Sequence, residues 1–369
     1  MSTSSFFNHI LPPPKFITMP SVGVDISDTS LKYIGLMPDR RAEGTFKLKT
    51  WGEVKIAEGA ISRGEIQEVA VLTKALKEFK AKTKADFIRL SLPEEKAYIF
   101  ETEVKISSSI TEMRGQIEFR LEENVPLPGR DIIFDYEIIP HQREASSRRK
   151  VIVTAYPAKV VNHYYEACLQ SEVTPVSFEV EGAAMARAVI PRAETRGTYM
   201  VVDYGKTRIG LGVIYNGVLA HASSVDYGGD RLSAGLRRVL GEDKPETELT
   251  KLKNEQGLIP TAVDSEVAEV LLSTVSAARD DISQHIQYWH NLDLGNPERR
   301  IKEIILCGGT ANLKGLPEYL TETLHINVSR ANVWQNAFSY QDFIPPIDLN
   351  HSYGYASAIG LALNPRFSL

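Results

Sequence analysis

Apolar residues recur along this chain with two different periods, and each period predicts a different kind of element. Short apolar or alternating runs predict strands, such as F-I-R-L-S-L at 87–92 and Y-M-V-V-D at 199–203. Apolar residues three and four positions apart predict a long amphipathic helix from Val263 to Trp289. The same spacing predicts shorter helices at 65–82, 109–123, 158–170 and 180–190, and the pair Asn216-Gly217 predicts a two-residue hairpin turn. Together these elements indicate a mixed α/β chain.

Two aspartates each end an apolar run and open a tight polar turn. Asp25 does so in V-G-V-D-I-S-D-T-S-L-K at 22–32, and Asp203 does so in Y-M-V-V-D-Y-G-K-T-R-I-G-L-G-V at 199–213. A third segment, I-I-L-C-G-G-T-A-N-L-K-G-L-P at 304–317, has the pattern of a strand, a Gly-Gly turn and a helix start. The two similar hairpins and the later turn predict a duplicated domain that closes over a nucleotide.

The residue types at these turns suit a phosphate group. Backbone N–H groups at a hairpin tip rich in Gly, Ser and Thr converge on one point and form a nest for an anion. Glycines permit a close backbone approach, hydroxyls add donors, and a lysine adds positive charge. Either hairpin alone also fits an ordinary polar turn, whereas the three segments in this order favour a nucleotide. The residues concerned are Gly205, Gly308, Gly309, Ser27, Thr29, Ser30, Thr207 and Lys206.

Asp25 and Asp203 would repel a phosphate that touched them directly. They fit a site in which Mg²⁺ is held through water molecules, because Mg²⁺ keeps several waters and takes one or two carboxylates. The sequence therefore predicts a Mg²⁺–nucleotide site with these two aspartates beside the metal.

Taken in order, these segments resemble the actin-like ATPases. Within that superfamily they are most similar to the PilM family of type IV pilus assembly proteins, and next to the FtsA family of cell-division proteins. The resemblance runs from about Val22 to Leu363. The supporting segments are E-G-A-I-S-R-G-E-I at 58–66, V-P-L-P-G-R-D-I-I-F-D-Y-E-I-I at 125–139, V-E-G-A-A-M-A-R-A-V at 180–189, D-Y-G-G-D-R-L at 226–232 and L-C-G-G-T-A-N-L-K-G-L-P-E-Y-L at 306–320.

The resemblance implies ATP and Mg²⁺ as ligands and adds further residues to the candidate site. These are Lys32, Gly228, Gly229, Asp230, Asp281, Gln284, Thr310 and Leu316. The chain departs from the family pattern where Ser27 replaces a glycine, where Asp28 adds a carboxylate, and where Asp281-x-x-Gln284 stands for an E-x-x-R stretch near the adenosine. No residue is identified as a general base for an attacking water, so binding is expected and hydrolysis is left open.

The implied fold is an actin-like, duplicated ribonuclease H-like α/β fold with two lobes and an inserted α+β subdomain of the SHS2 type. We predict a flexible tail at 1–20 and a first domain from 21–92, 175–197 and 345–369. The inserted subdomain is predicted at 93–174. The second domain is predicted at 198–344, with a helical subdomain at about 229–299. Small residues around Ala184 and Gly360 predict that two helices cross closely between the lobes.

Composition excludes several other classes of protein. The chain has 369 residues, with 42 Lys plus Arg against 47 Asp plus Glu, and the net charge of −5 argues against general nucleic-acid binding. Cys168 and Cys307 are the only cysteines, which excludes a disulfide-rich framework. No apolar run reaches the length of a spanning helix, so we expect no direct membrane span.

The expected function is that of an ATP-binding cytoplasmic scaffold in type IV pilus or type II secretion assembly, placed at the inner membrane through its partners. The resemblance implies that it grips the cytoplasmic N-terminal tail of a PilN-like membrane protein in a groove between the first domain and the insertion, and that it forms a ring or homo-oligomer. The residues after Leu363 carry no amphipathic helix of the FtsA type. An FtsA-like role, a true ATPase or phosphotransferase, and a pseudo-ATPase without nucleotide stay open as alternatives.

Overall fold

The computed structural model describes residues 19–39, 44–105, 109–140, 147–259 and 265–363. The predicted tail lies outside this description apart from residues 19 and 20. The strands are β1 Ser21–Ile26, β2 Ser30–Pro38, β3 Phe46–Lys55, β4 Ile61–Ser62, β5 Glu65–Ile66, β6 Phe87–Leu92, β7 Tyr98–Lys105, β8 Ile132–Ile138, β9 Arg148–Pro157, β10 Thr174–Val180, β11 Thr198–Tyr204, β12 Ile209–Tyr215, β13 Val218–Val225, β14 Ile301–Cys307 and β15 Asn327–Arg330.

The α-helices of the described residues lie between and after these strands. They are α1 Val69–Thr83, α2 Ile110–Asn124, α3 Ala158–Gln170, α4 Glu181–Val189, α5 Gly229–Leu240, α6 Glu246–Glu255, α7 Ser265–Asn291, α8 Leu316–Leu324, α9 Leu349–Ser352 and α10 Ala356–Ala362. The helices predicted at 109–123, 158–170 and 180–190 match α2, α3 and α4 to within a residue at each end. Helical spacing of buried side chains therefore located them well.

Two five-stranded sheets have the same order and the same strand directions. The first runs β3-β2-β1-β6-β10, and the second runs β13-β12-β11-β14-β15. In each sheet three antiparallel strands come first in the chain, and two further strands then add in parallel to the first of them. This repeated topology confirms the predicted duplicated α/β fold. It also places Asp25 on β1 and Asp203 on β11, at equivalent positions of the two sheets.

The hairpin between β12 and β13 shows how the sequence sets a turn locally. Asn216 and Gly217 have φ angles of 50° and 84°, as a two-residue turn of type I′ requires. Glycine adopts positive φ at no steric cost, and asparagine tolerates it better than most residues. The turn predicted from the Asn-Gly pair is confirmed.

The inserted unit has its own small core. Strands β7, β9 and β8 form an antiparallel sheet whose inner face packs on α2 through a set of buried apolar side chains that includes Val104, Ile117 and Val153. Helix α3 was predicted to belong to this unit, yet its buried face joins the main core, and the hydroxyl of Tyr164 donates to the Gly64 carbonyl at 3.0 Å. By packing, α3 therefore lies with the first domain.

Helices α4 and α10 cross with almost no space between their backbones. A Cβ atom added at Gly360 would lie 1.7 Å from the carbonyl oxygen of Ala184. Gly23 on β1 meets α10 in the same way, with its Cβ position 2.1 Å from the Ala358 carbonyl oxygen. The small residues of both helices are thus required by the crossing, as the sequence predicts.

The cysteines and the paired histidines of the described residues have structural roles. Cys168 and Cys307 are both buried free thiols. His221 and His285 face each other with ring nitrogens 3.5 Å apart, and burial together with the His285 charge lowers the pKa of His221 to about 4. Within the described ranges, no three His, Cys, Asp or Glu residues are grouped as a metal site. Nor does that part of the chain contain a helix long and apolar enough to cross a membrane.

Candidate functional site

A cavity of about 440 Å³ lies where the turns of the two sheets face each other. The β1–β2 turn, the β11–β12 turn, the start of α5 and the turn after β14 all reach it, so four distant segments meet at one place. It is lined by most of the predicted residues, namely Asp25, Ser27, Thr29, Ser30, Lys32, Asp203, Gly205, Lys206, Thr207, Gly229, Asp230, Gly308, Gly309 and Thr310.

Four predicted residues lie elsewhere. Gly228 packs beneath the β11–β12 turn, and a Cβ atom there would be 2.6 Å from the carbonyl oxygens of Gly205 and Lys206. Asp281 accepts a hydrogen bond from the hydroxyl of Tyr227. Gln284 is exposed on α7, and Leu316 is fully buried in the core. Asp281 and Gln284 on the long helix α7 are therefore not among the described residues that line this cavity.

Helix α6 forms one wall of the cavity, and sequence reasoning did not identify it. Glu246, Thr250, Lys253 and Asn254 line the cavity from one face of α6. The Lys253 ammonium is buried and donates to Ser233 Oγ at 2.7 Å and to Glu246 Oε1 at 3.2 Å. The sequence feature that could have identified α6 is the spacing of these polar residues by one and two helical turns, in a helix that carries few apolar residues.

Glycines allow the loops of the second domain to touch. A Cβ atom at Gly308, whose φ is +82°, would lie 2.4 Å from Asp203 Oδ1. One at Gly229 would lie 2.6 Å from the Thr310 hydroxyl. Any side chain at these positions would push the Gly-Gly turn away from the Asp203 hairpin. The glycines thus set the depth and shape of the cavity floor.

Several backbone amides at the cavity are already used within the protein. The N–H of Gly205 donates to the Arg208 carbonyl at 3.0 Å, that of Gly229 donates to the Gly205 carbonyl at 3.0 Å, and that of Asp230 donates to the Lys206 carbonyl at 2.9 Å. These bonds tie the hairpin to α5. An anion here would thus depend more on the Lys206 ammonium and on hydroxyls such as that of Thr207 than the sequence suggests.

The two aspartates are partly buried, and the pKa values of both are raised. Burial and the charge of Asp25 raise the pKa of Asp203 to about 6, although Lys32 and Arg208 act against the rise. Burial also raises the pKa of Asp25, which accepts a 2.8 Å hydrogen bond from Ser91 Oγ. Because burial disfavours the charged form of each group, a cation beside them would find carboxylates that the protein has not fully compensated.

A largely shielded charged cluster at the edge of the cavity, to which Arg208 and Glu181 contribute lining side chains, was missed by the sequence analysis. Arg208 forms ion pairs with Asp28 at 3.6 Å, with Glu181 at 3.2 Å, and with Glu95. Burial alone would lower the pKa of Arg208, but the charges of Glu181 and Glu95 raise it further above its usual value. Asp28 therefore faces an arginine and is not among the described residues that line the cavity.

Glu94 lies next to this cluster, and the pKa of its carboxyl is raised. Burial and the charges of Asp203 and Glu95 raise its pKa to about 8, so the carboxyl is largely protonated at neutral pH. Neither of its oxygens has a hydrogen bond of normal geometry within the described part of the chain. The sequence feature that could have indicated this group is the pair Glu94 and Glu95, shortly after the end of β6. The carboxyl ends of parallel strands gather at one edge of a sheet, so acidic residues there are expected to lie close together.

A second cavity of about 390 Å³ forms a groove along the insertion. It runs between β8, the edge strand of the inserted sheet, and β10, the edge strand of the first sheet. Helices α3 and α4 contribute Val161 and Ala183, and β13 of the second domain contributes Val218 and Leu219. All three units of the fold thus line one largely apolar groove, whose acidic lining residues are Asp135, Glu137 and Glu179.

Comparisons with known proteins agree with this architecture. The family model described as type IV pilus assembly protein PilM matches residues 23–366. A solved PilM-PilN type IV pilus biogenesis complex is similar over 94% of this chain and 98% of that chain, with 18% identity and a TM-score of 0.74. The ethanolamine utilization protein EutJ from Carboxydothermus hydrogenoformans is similar over 96% of this chain and 90% of its own, with 16% identity and a TM-score of 0.51. The chain has an actin-like fold and belongs to the PilM family of type IV pilus assembly proteins.

Proposed function

We propose that this chain is an ATP-binding scaffold of type IV pilus assembly. It recruits the cytoplasmic N-terminal tail of a PilN-like inner-membrane protein, and that partner holds it at the cytoplasmic face of the inner membrane. The observation that carries the proposal is the pair of cavities, one polar between the two duplicated sheets and one apolar beside the insertion. The structure of a PilM-PilN complex, similar over nearly the whole chain, supports the choice of partner.

The polar cavity fits a nucleotide in volume and in chemistry. Sites for small molecules measure roughly 300–1,000 Å³, and this one measures about 440 Å³. Lys206 and the hydroxyls of Thr29 and Thr207 would hold the phosphates at the facing turns. Thr250 and Asn254 on α6 would face the ribose and base at the other end.

The partly buried pair Asp25 and Asp203 fits Mg²⁺, held through water molecules. Mg²⁺ when bound would neutralise phosphate charge and lower the pKa of both carboxylates. Lys32 also has a structural contact. Its ammonium donates to the Gly354 carbonyl at 3.0 Å and thereby links β2 to the segment before α10. This proposal concerns binding and assigns no residue to hydrolysis.

The apolar groove fits an extended segment of a partner. Its walls are two strand edges and apolar side chains, and no lysine or arginine is among the described residues that line it. An apolar tail with basic residues beside its anchors would match the acidic lining groups, since complementary charge sets register and specificity. Cytoplasmic segments next to membrane spans commonly carry such basic residues.

Replacing Ile133 with arginine is expected to weaken binding of the tail at least about tenfold, equivalent to 1.4 kcal/mol. Ile133 is 44% exposed on β8 and lines the groove, so the change places a long charged side chain at the apolar wall without opening the core. Fluorescence anisotropy of a labelled peptide with the sequence of the PilN-like tail measures the affinity.

Ile138→Arg is the matched control for this measurement. Ile138 is 48% exposed on the same strand but does not line the groove. We expect this variant to bind the peptide as tightly as the parent chain. Equal affinity of all three proteins, or an equal loss in both variants, would exclude the groove as the binding site.

A further inference from the structure

Arg208 connects parts of the chain that are far apart in sequence. It lies in the turn between β11 and β12 of the second domain. Its three carboxylate partners are Asp28 in the β1–β2 turn, Glu95 where the chain leaves β6 for the insertion, and Glu181 at the first residue of α4. None of these ion pairs lies within the second domain itself. The arginine therefore joins the second domain to the first domain and to the root of the insertion.

The cluster is largely shielded from water. The side chain of Arg208 is 15% exposed, and those of Asp28, Glu95 and Glu181 are 20%, 13% and 9% exposed. Ion pairs on an open surface contribute little, because water screens them. Removing one partner from a buried pair costs far more, because it leaves the other charge without compensation. Here one guanidinium contacts three carboxyl groups at once.

Asp28 is itself fixed to a further segment of the first domain. Its carboxylate accepts hydrogen bonds from the backbone N–H groups of Arg63 at 3.3 Å and Gly64 at 3.2 Å, in the turn between β4 and β5. The side chain of Arg63 then reaches Asp226 of the second domain at 2.7 Å in an exposed ion pair. Two ion-pair contacts of very different burial thus cross between the domains at this side of the cavity.

We propose that Arg208 is a latch that holds the two domains together through the chain's own charges, independently of any ligand. Without the guanidinium, Asp28, Glu95 and Glu181 would lose the positive charge on the second domain that attracts them. The cavity between the sheets would then open. The exposed pair of Arg63 and Asp226 would not hold it, because that contact is screened by water. This inference concerns the protein without nucleotide, so it stands or falls separately from ATP binding.

The test compares Arg208→Gln with Arg63→Gln in buffer that contains EDTA and no nucleotide. Hydrogen exchange followed by mass spectrometry reports opening of the β1–β2 and β11–β12 turns, and small-angle X-ray scattering reports the radius of gyration. For Arg208→Gln we expect exchange at both turns to rise at least about tenfold, with a larger radius of gyration and unchanged protection of α2 in the insertion. Arg63→Gln is expected to resemble the parent chain in both measurements.

Two milder variants keep the test decisive if Arg208→Gln does not fold. Arg208→Lys retains the charge but loses the forked geometry, and Asp28→Asn removes one of the three carboxylates. The latch predicts that both raise exchange at the two turns more than Arg63→Gln does. Exchange and scattering profiles that match Arg63→Gln in every folded variant would overturn the proposal.

Discussion

Replacing Gly360 with alanine is expected to destabilise the protein by about 3 kcal/mol, the upper part of the range for overpacked cores. The added Cβ would lie 1.7 Å from the carbonyl oxygen and 2.4 Å from the carbonyl carbon of Ala184. Both contacts involve backbone, which cannot turn aside as a side-chain tip can. Helices α4 and α10 would have to separate, and they carry the connection between the two domains. Urea denaturation measures the free energy of unfolding.

Gly115→Ala is the matched control, because it makes the same chemical change in another helix. Gly115 is exposed on α2, and a Cβ atom there meets nothing within 4 Å. Alanine is favoured over glycine in a helix by up to about 1 kcal/mol, so this variant should be slightly more stable than the parent. Similar changes of stability in both variants would show that α4 and α10 can move apart at their crossing at little cost, which would contradict this account.

Replacing Arg299 with alanine is expected to cost about 3 kcal/mol and to loosen the insertion from the second domain. Arg299 is 5% exposed, and its guanidinium lies 4.9 Å from the ring centre of Tyr215 and 4.7 Å from that of Trp289. It forms an ion pair with Glu101 on β7 of the insertion. Loss of a buried partner costs about 3–5 kcal/mol, and the lower value applies because Glu101 keeps Lys150 at 2.8 Å.

Arg300→Ala provides the comparison, since Arg300 is the next residue and is exposed. Exposed substitutions away from special contacts usually change stability by less than about 0.5 kcal/mol. Urea denaturation gives the free energies, and hydrogen exchange of β7 reports the contact between the insertion and the second domain. If Arg299→Ala leaves β7 as protected as Arg300→Ala does, the contact does not hold the insertion in place.

The sequence was most informative where a structural requirement is local. The Asn216-Gly217 turn and the helical periods of α2, α3 and α4 depend on neighbouring residues, and all were predicted at the right positions. The duplicated fold was predicted from the order of the two hairpins and the Gly-Gly turn, because each of them follows a buried strand. The same order placed most of the predicted residues at one cavity.

The sequence was least informative where charged side chains from distant segments meet. Arg208, Glu95 and Glu181 carry no local pattern that marks them as buried, since only the folded chain brings them together. The adenosine side was sought on α7 because of a family motif, whereas α6 supplies the cavity wall. Helix α3 follows the insertion in sequence but packs with the first domain, and connectivity alone did not reveal this.

Calorimetric titration of Mg-ATP into the parent chain and into Asp203→Ala tests the proposed nucleotide site most directly. Asp280→Ala, at an exposed aspartate on α7, serves as the control variant. The account predicts saturable binding by the parent chain and by Asp280→Ala, with affinity reduced at least about tenfold in Asp203→Ala, equivalent to 1.4 kcal/mol. Absence of binding heat in the parent chain at millimolar Mg-ATP, or equal affinity in all three proteins, would contradict it.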